Sequence, residues 1–291
     1  MNKKLLLIDG NYLMFQSFYA TYRGDVSTIM RSSQGVPTNA INTFLVQMIK
    51  LIKEYQPKYL FIAFDAKEKT NRHEVFQDYK ANRTKAPNEL FIQFDLIKTI
   101  LNQLGIQQRE IPRAEADDLI ATATARFDKI EKLIFSRDKD LLQLVNKSTS
   151  IINKDTNGYS LTTDDNFYDT YQIYPSQIVD FKGLKGDPSD NLPGIKGIGD
   201  ITAIKLLNEF GSFDNIYANI NSPKITKSVK TKLENGYHEG KLCFDLAKLN
   251  SSVEDFNFQL EDLEFKINLD KAQDLLQKLE LNTVLKYFKV L

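Results

Sequence analysis

Short apolar segments that end on an aspartate recur through the first half of the chain. Residues 4–9 (KLLLID), 59–65 (YLFIAFD) and 132–138 (KLIFSRD) each have the length and apolar content of a buried strand. Apolar residues at helical spacing occupy residues 39–55 and 88–104. Strands that alternate with amphipathic helices predict a parallel sheet that is covered on both faces. Because ligands bind beyond the carboxyl ends of such strands, three aspartates at that edge predict a functional site.

The remaining sequence indicates two domains. A short strand near 106–111, a helix over 114–127 and a polar hairpin over 149–163 complete a sheet domain, which we place at residues 1–173. From residue 174 to residue 291 the sequence is mostly helical and begins with closely spaced glycines, which indicates a second domain. A chain of 291 residues is long enough for two domains with buried cores.

Few side chains in this sequence are suited to soft metals. Cys243 is the only cysteine, and His73 and His238 are the only histidines. An internal disulfide, a thiolate-rich zinc site and a multi-histidine centre are therefore excluded. Oxygen ligands must hold any metal that binds.

No segment of the sequence indicates export or a membrane. The longest apolar runs, 5–8 and 59–64, are far shorter than a membrane span. The N-terminus lacks the apolar stretch and the cleavage site of a signal peptide. We therefore expect a cytoplasmic protein with no membrane partner.

The charges are balanced in number but segregated along the chain. The sequence has 38 basic and 38 acidic residues, so its formal net charge is zero. Residues 67–85 nevertheless contain six Lys/Arg, one His and only three acids, and a second basic stretch has lysines at 224, 227, 230 and 232. A solvated face is the ordinary explanation for one such run. Together with acidic strand ends, however, the runs are compatible with a nucleic-acid surface.

Nine carboxylates form the most informative pattern. They follow strands, open the predicted helix at 114–127 or lie in a glycine-rich loop: Asp9, Asp65, Glu115, Asp117, Asp118, Asp138, Asp140, Asp187 and Asp190. If these like charges converge, hard divalent cations such as Mg²⁺ would neutralise them. Two such ions about 4 Å apart are a standard arrangement for phosphodiester cleavage.

The acids at 115–118 have a structural alternative, because acids at a helix start also stabilise the helix dipole. Glu115 and Asp118 are three residues apart and share a helix face, whereas Asp117 is expected to point elsewhere.

Two further segments suit nucleic acid. Lys80 and Arg83 are one helical turn apart, so that they would present one cationic face to phosphate, with Tyr79 beside them to stack on a base. In the glycine-rich segment 183–207, Gly197-Ile198-Gly199 lets the backbone approach a ligand before a helix that begins near Asp200. Backbone N–H groups at such a position bind phosphate without reading sequence. A solvated helix and a plain structural turn are the respective alternatives.

Taken in order, these motifs resemble the bacterial 5′→3′ exonuclease family, which includes the N-terminal domain of DNA polymerase I and, more distantly, phage and eukaryotic flap endonucleases. The resemblance runs from about residue 4 to residue 213. It rests on LIDG at 7–10, FDAK at 64–67, RH at 72–73 leading to YKANR at 79–83, EADD at 115–118, DKDL at 138–141 and GDPSDN at 186–191 with its glycine-rich continuation.

The resemblance implies an α/β fold with a parallel-sheet PIN/resolvase-like nuclease domain that carries a helical arch at about 66–100. A mostly helical domain follows, with a helix-three-turn-helix at about 183–213. The implied activity is hydrolysis of DNA near 5′ ends and single-strand/duplex junctions with two Mg²⁺ or Mn²⁺ ions, for primer removal, flap processing and repair. The implied substrates are DNA with a free 5′ end, a flap or a nick, and also RNA primers in hybrids.

Site residues are implied by matching position. The nine carboxylates would be the metal ligands, with Asp117 and Asp187 acting through water, and the catalytic residues would be Lys80, Arg83 and Asp138. The implied DNA contacts are Lys67, Arg72, Tyr79, Lys80, Arg83, Gly194, Lys196, Gly197 and Gly199. A potassium ion would be held by backbone carbonyls at Phe181, Lys182, Pro193, Ile195 and Ile198.

The sequence departs from the family pattern at Gln16, Asn71, Arg137 and Ile201, which we expect to affect affinity and rate rather than the existence of activity. No polymerase domain follows, so we expect a stand-alone, monomeric nuclease that works with a separate DNA polymerase.

Three other functions remain as alternatives. A non-catalytic junction binder would retain the fold but lack the chemistry, which the intact acids and Lys80 disfavour. An aspartyl-phosphate phosphohydrolase would usually need a second aspartate two residues after Asp9, where the chain has Asn11. A single-strand RNA nuclease is disfavoured by the basic segment and the helical second domain.

Overall fold

A computed structural model describes residues 3–82, 84–156 and 158–291, and this part of the chain contains one six-stranded sheet. The strands are β1 (Lys4–Asp9), β2 (Tyr59–Phe64), β3 (Gln108–Glu110), β4 (Glu131–Phe135), β5 (Thr149–Asp155) and β6 (Gly158–Thr162). Their order across the sheet is β3-β2-β1-β4-β5-β6. Neighbouring strands are parallel except β5 and β6, which pair antiparallel. The predicted parallel sheet and its terminal hairpin are confirmed.

α-Helices connect most of these strands and recur through the second half of the described chain. They are α1 (Gly10–Tyr19), α2 (Asn39–Tyr55), α3 (Asn71–Val75), α4 (Asn88–Gln103), α5 (Ala116–Arg126), α6 (Asp164–Tyr171), α7 (Ile178–Lys185), α8 (Asp200–Phe210), α9 (Phe213–Ala218), α10 (Lys227–Asn235), α11 (Tyr237–Ala247), α12 (Leu269–Lys278) and α13 (Asn282–Phe288). Among the described helices, none has both the length and the apolar content needed to cross a membrane.

The alternation of side chains along β1 shows why the sheet is covered on both faces. Leu5 and Leu7 belong to the apolar cluster that includes α5, whereas Leu6 and Ile8 belong to the cluster of α1, α2 and α4. All four side chains are fully buried. Burial of each such side chain contributes roughly 1.5–3 kcal/mol to folding. The central strand therefore holds both layers in place and fixes the position of its carboxyl end.

The junction of β1 and α1 places the first predicted site residue. Asp9 ends β1 and caps α1, because its Oδ1 accepts a hydrogen bond from the Tyr12 N–H at 2.8 Å. The next residue must be glycine, since a Cβ at Gly10 would lie 2.5 Å from the Phe64 ring at the end of β2. This close approach keeps the Asp9 carboxylate at the sheet edge beside β2.

The predicted arch segment at 66–100 contains α3 and most of α4, and the part between them lies against the glycine-rich loop. The Lys80 N–H donates to the Asp190 carbonyl at 3.1 Å, and the Asn82 side-chain amide donates to the Pro188 carbonyl at 2.7 Å. Tyr79 packs in a small apolar cluster with residues of α11. The base of this segment is thus held by the second half of the chain.

The last two helices return to the sheet. Ala272 and Leu276 of α12 and Val284 of α13 lie in the same buried cluster as α2 and α4. The boundary at 173/174 stays a prediction. The segment after residue 173 contributes side chains to both apolar clusters, and its last two helices pack against α4 and α2.

Candidate active site

The carboxyl edge of the sheet brings three predicted aspartates together. Asp9 ends β1, Asp65 directly follows β2, and Asp138 follows β4, while β1 lies between β2 and β4. Ser136 connects two of them, because its hydroxyl donates to Asp9 Oδ2 at 2.8 Å and its Oγ accepts from the Asp138 N–H at 3.0 Å. The Asn11 amide donates to Asp65 Oδ2 at 2.7 Å. The predicted clustering at this edge is confirmed for these three side chains.

The surroundings of the Asp9 carboxyl strongly perturb its ionisation. Burial, followed by repulsion from Asp65, raises the pKa of Asp9 from 3.8 to about 7. Hydrogen bonds from Tyr12 and Ser136 lower the pKa of Asp9 in part, and repulsion from Asp138 adds to the increase. Burial and repulsion destabilise the charged form of this carboxylate, so that a proton or a bound cation would stabilise it.

This shift predicts a pH dependence for the metal-free protein. Between about pH 4 and pH 7 folded Asp9 holds a proton that the unfolded chain has released, so stability falls as the pH rises through this window. A shift of about 3 units corresponds to a loss of up to about 4 kcal/mol. Asp9→Asn, compared with the unmutated chain by urea denaturation in EDTA from pH 4 to 8, should remove this part of the slope. Parallel curves for the two proteins would contradict the assignment.

The acids at 115–118 surround the start of α5. Glu115 is the N-cap, and Asp118 reaches back to the Glu115 N–H at 3.5 Å, which forms a capping box. Asp65 Oδ1 accepts from the Ala116 N–H at 2.8 Å, so the helix start is tied to the sheet edge. The expectation that Asp117 points elsewhere is wrong, because its Oδ1 lies 3.7 Å from the same Arg72 guanidinium that contacts Glu115 and Asp118. Burial raises the pKa of Asp117 well above its usual value.

Arg72, predicted as a DNA contact, is instead an internal counter-ion in this structure. Its side chain is 11% exposed, and its two terminal nitrogens lie 2.8 and 3.0 Å from the two Asp118 oxygens. Its Nε donates to the Leu246 carbonyl at 3.0 Å. Burial opposes the charge of the guanidinium, but the three carboxylates outweigh burial and raise the pKa of Arg72. Arg72 therefore differs from the predicted DNA contact because α5 and α11 supply partners for its guanidinium within the protein.

Removal of this guanidinium is expected to destabilise the metal-free protein. Arg72→Gln leaves three buried carboxylates without their shared partner, and breaking a buried ion pair in this way costs about 3–5 kcal/mol. Urea denaturation in EDTA measures the loss. The matched control is Arg113→Gln, since Arg113 pairs with Glu74 at the surface and its side chain is 53% exposed, which predicts a change below about 1 kcal/mol. Equal losses of unfolding free energy in the two variants would argue against Arg72 as a shared buried counter-ion of the three carboxylates.

Lys80 and Tyr79 bring the basic segment to the acids. Lys80 Nζ lies 2.7 Å from Glu115 Oε2. The Tyr79 hydroxyl donates to Asp190 Oδ2 at 3.1 Å, and the residue is only 2% exposed. Its predicted stacking on a base is therefore wrong for this conformation, because the ring is packed in the protein. Arg83 lies outside the described residues, so its predicted catalytic and DNA contacts stay predictions.

A third buried cation, Lys182, joins two further acids of the predicted site, Asp140 and Asp187. Lys182 Nζ contacts both Asp140 and Asp187, at 2.6 Å from Asp187 Oδ2, and its side chain is 8% exposed. Burial opposes ionisation of Asp187, yet the Lys182 ammonium and the Ser189 hydrogen bonds hold its pKa at about 2. The family resemblance implies a role only for the Lys182 carbonyl, as a potassium ligand, and no local sequence pattern predicts this role for the side chain.

The glycine-rich loop has both structural and exposed positions. Gly194 has a φ of 63°, and a Cβ there would lie 2.1 Å from the Gly186 nitrogen, so this buried glycine is a packing requirement rather than a predicted DNA contact. Lys196, Gly197 and Gly199 are exposed and remain available. Within the predicted potassium set, the Lys182 carbonyl accepts from the Gly186 N–H at 2.8 Å and the Ile195 carbonyl from the Ile198 N–H at 2.9 Å. The roles predicted for Phe181, Pro193 and these carbonyls stay predictions.

Three of the four departures from the family pattern make hydrogen bonds within the protein, and the fourth, Ile201, lies at the surface. Gln16 donates to the Tyr12 hydroxyl at 2.7 Å, Asn71 accepts from Arg113, and Arg137 points away to the Lys154 carbonyl at 2.7 Å. Ile201 is 86% exposed on α8. Lys67 is an exposed member of the predicted DNA set and pairs with Asp95 at 2.9 Å.

The donor set suits hard cations, since it consists of carboxylate oxygens at a low-exposure sheet edge. Across residues 3–82, 84–156 and 158–291, no group of three or more Asp, Glu, His or Cys side chains is arranged so that it could hold a metal ion as it stands. Several of the acids are instead paired with Arg72, Lys80 or Lys182. The predicted nine-ligand set therefore remains a prediction, with Thr70, Asn11 and Ser136 as supporting partners that sequence reasoning missed.

A parallel sheet with acids along its carboxyl edge, next to a cationic segment and a helical unit with a glycine-rich turn, is the architecture of a nuclease that cleaves phosphodiesters. Residues 4–172 match the family model for the 5′-3′ exonuclease N-terminal resolvase-like domain, and residues 173–271 match that for the 5′-3′ exonuclease C-terminal SAM fold. The chain belongs to the 5′-3′ exonuclease family and is a nuclease that acts on DNA.

Individual relatives agree with this membership. The 5′-3′ exonuclease of Bacillus subtilis is 36% identical over 95% of this chain and 93% of its own length. DNA polymerase I of Bacillus caldotenax is 36% identical over 96% of this chain, which spans only 33% of that polymerase. The fold is similar to that of the bacteriophage T5 flap endonuclease, solved as a pseudo-enzyme–product complex with DNA and metal ions. That structure has a TM-score of 0.68 and 18% identity, with 96% of this chain and 100% of that one covered.

Proposed function

We propose that this chain is a structure-specific 5′ nuclease that hydrolyses DNA near free 5′ ends, nicks and single-strand/duplex junctions. One observation carries the proposal: the strand-end aspartates meet the α5 acids, and Lys80 of the basic segment reaches Glu115 at 2.7 Å. A cation beside clustered carboxylates is the arrangement that binds a phosphodiester next to divalent ions. The acids at the sheet edge would thereby hold the divalent ions, and the cationic segment would bind the phosphate.

Two Mg²⁺ or Mn²⁺ ions are proposed as the cofactors. The oxygen donors of the nine carboxylates fit such ions, and the phage relative of similar fold was solved with metal ions. When bound, the ions would activate water and neutralise developing negative charge. Asp9, Asp65 and Asp138 are proposed to hold them from the strand ends, Glu115 and Asp118 from α5, and Asp140 and Asp187 from the two sides of Lys182.

The other residues act on the substrate strand. Lys80 would exchange its contact with Glu115 for the scissile phosphate and stabilise the charge that develops there. Arg83 would orient the same phosphate. The exposed backbone at Gly197 and Gly199, together with Lys196, would hold the duplex backbone at the start of α8 without reading sequence.

Several further properties are proposed from the family resemblance. They are a potassium site in the glycine-rich loop, RNA primers as additional substrates, a separate DNA polymerase in the pathway, a monomeric state, a cytoplasmic location, and roles in replication and repair. A nuclease that removes the flaps or primers left during synthesis by a separate DNA polymerase would have the proposed substrates, location and roles.

The proposal is tested by Mg²⁺-dependent cleavage of a 5′-flap duplex and a nicked duplex, with the product ends mapped. We expect cuts within about one nucleotide of the junction, because the proposed metal ligands and the proposed duplex-binding loop would together hold the junction in one position relative to the ions. Tight flap binding without cleavage, in Mg²⁺ and in Mn²⁺, would instead support the junction-binder alternative. Cleavage at random positions would remove the structure-specific part of the proposal.

A further inference from the structure

The Lys182 side chain lies at the contact between the helical unit and the sheet. Lys182 belongs to α7, whereas Asp140 lies in the 3₁₀ helix that follows β4. Asp187 caps the 3₁₀ turn Pro188–Asp190 in the glycine-rich loop. The Lys182 ammonium contacts Asp140 Oδ1 and Asp187 Oδ2. One buried cation therefore joins carboxylates that are 47 residues apart in the sequence.

The two carboxylates depend on this ammonium. The Asp140 side chain is 6% exposed and that of Asp187 is 14% exposed, so water neutralises their charges poorly. With Lys182 the three groups carry a net charge of −1, and without it the charge would be −2 in the same space. The oxygen atoms that Lys182 contacts are also those that a hard divalent cation would use.

We propose that Lys182 is a positioning residue which serves as a resident counter-cation, holding Asp140 and Asp187 together before metal binds and competing with a divalent ion for their oxygens. This inference rests on the proposed function, since it requires divalent ions at these carboxylates. An ion that enters must displace the ammonium, so Lys182 sets the affinity of this part of the site for the ion.

Neutralising Lys182 should therefore strengthen divalent-ion binding while weakening the metal-free fold. Lys182→Gln is expected to bind Ca²⁺ on the order of tenfold more tightly, because the repulsion between the ion and a positive charge a few ångströms away is lost. Lys182→Arg keeps the positive charge and should restore an affinity close to that of the unmutated chain. Lys185→Gln is the matched control, because Lys185 is on the same helix and pairs with Asp200 near the surface.

The experiment is calorimetric titration of the full chain with Ca²⁺, in the absence of DNA. Tighter binding by Lys182→Gln, but not by Lys185→Gln, supports the inference. If the unmutated chain binds Ca²⁺ and Lys182→Gln binds it equally or more weakly, the inference is overturned and the proposed function stands. If the unmutated chain binds no divalent ion, the metal part of the proposed function fails as well.

A second measurement needs no variant and so does not depend on whether Lys182→Gln folds. Amine acylation of the unmutated chain, read by peptide mass spectrometry, should label Lys182 slowly in EDTA and faster with saturating Ca²⁺, because displacement would free the amine from its two carboxylates. Lys185 provides the internal reference. Equal labelling of Lys182 in both conditions would show that the ammonium is not displaced, which overturns the competition.

Discussion

Asp138→Asn is expected to reduce cleavage of a 5′-flap duplex by at least about 100-fold, while flap binding stays near that of the unmutated chain. Residues around a metal ligand already change metal affinity or activity 10–100-fold, so the loss of a ligand should be no smaller. Asparagine suits the test because it keeps the volume and one oxygen of the side chain. In the structure Asp138 Oδ1 accepts from the Asp140 N–H at 2.8 Å, a bond that the asparagine oxygen can still accept.

Cleavage is measured under single-turnover conditions in Mg²⁺, and binding by fluorescence anisotropy in EDTA and in Ca²⁺. Asp274→Asn is the control, since Asp274 is exposed on α12 and has no place in the proposed site. Both variants are purified identically, which also controls for contaminating nuclease. Turnover of Asp138→Asn within about threefold of the unmutated rate would remove Asp138 from the ligand set, because loss of a ligand predicts a far larger effect.

Lys80→Ala is expected to lower the single-turnover rate about 10²–10³-fold, which is the effect of losing one preorganised charge at a transition state. Lys80 is well placed for this role. Its ammonium lies 2.7 Å from Glu115, and its backbone N–H is tied to the Asp190 carbonyl at 3.1 Å. The Lys80 side chain is thus aimed at the acidic edge of the sheet.

The rate and the flap dissociation constant are measured separately for this variant. Lys80→Met retains the apolar stem and tests whether packing alone explains the effect, and Lys266→Ala controls for the loss of a surface lysine, since the Lys266 side chain is 77% exposed. A change confined to the dissociation constant would make Lys80 a docking residue. A defect in Lys80→Ala that Lys80→Met restores would indicate packing rather than charge.

Much of the fold was predictable because the decisive signals are local. Buried strands have apolar runs of a characteristic length, and three of them end at or near Asp9, Asp65 and Asp138. Parallel strands with helical connections place their carboxyl ends on one edge, so the position of these aspartates followed from the order of elements. The return of α12 and α13 to the sheet was not predicted, since an amphipathic helix does not specify which apolar surface will cover it.

The contacts of the candidate site were less predictable. The family motif implies Arg72 as a DNA contact, and base stacking is a common role for an aromatic residue such as Tyr79. In the structure both side chains are instead buried against the α5 acids or α11. Whether a long side chain faces solvent or pairs internally depends on residues far away in the chain. Arg72 and Asp118 are 46 positions apart, and Lys182 and Asp140 are 42 apart.

The sequence by itself determined the parallel sheet, the family and the acidic carboxyl edge, because strand period, strand length and motif order are properties of short segments. Only the tertiary structure decided that Arg72, Lys80 and Lys182 form ion pairs with those acids. The physical reason is that a buried charge must find its partner wherever the chain brings one close. The packing of α3, α5 and α7 around the sheet specifies that partner. The spacing of residues within any one of these helices does not.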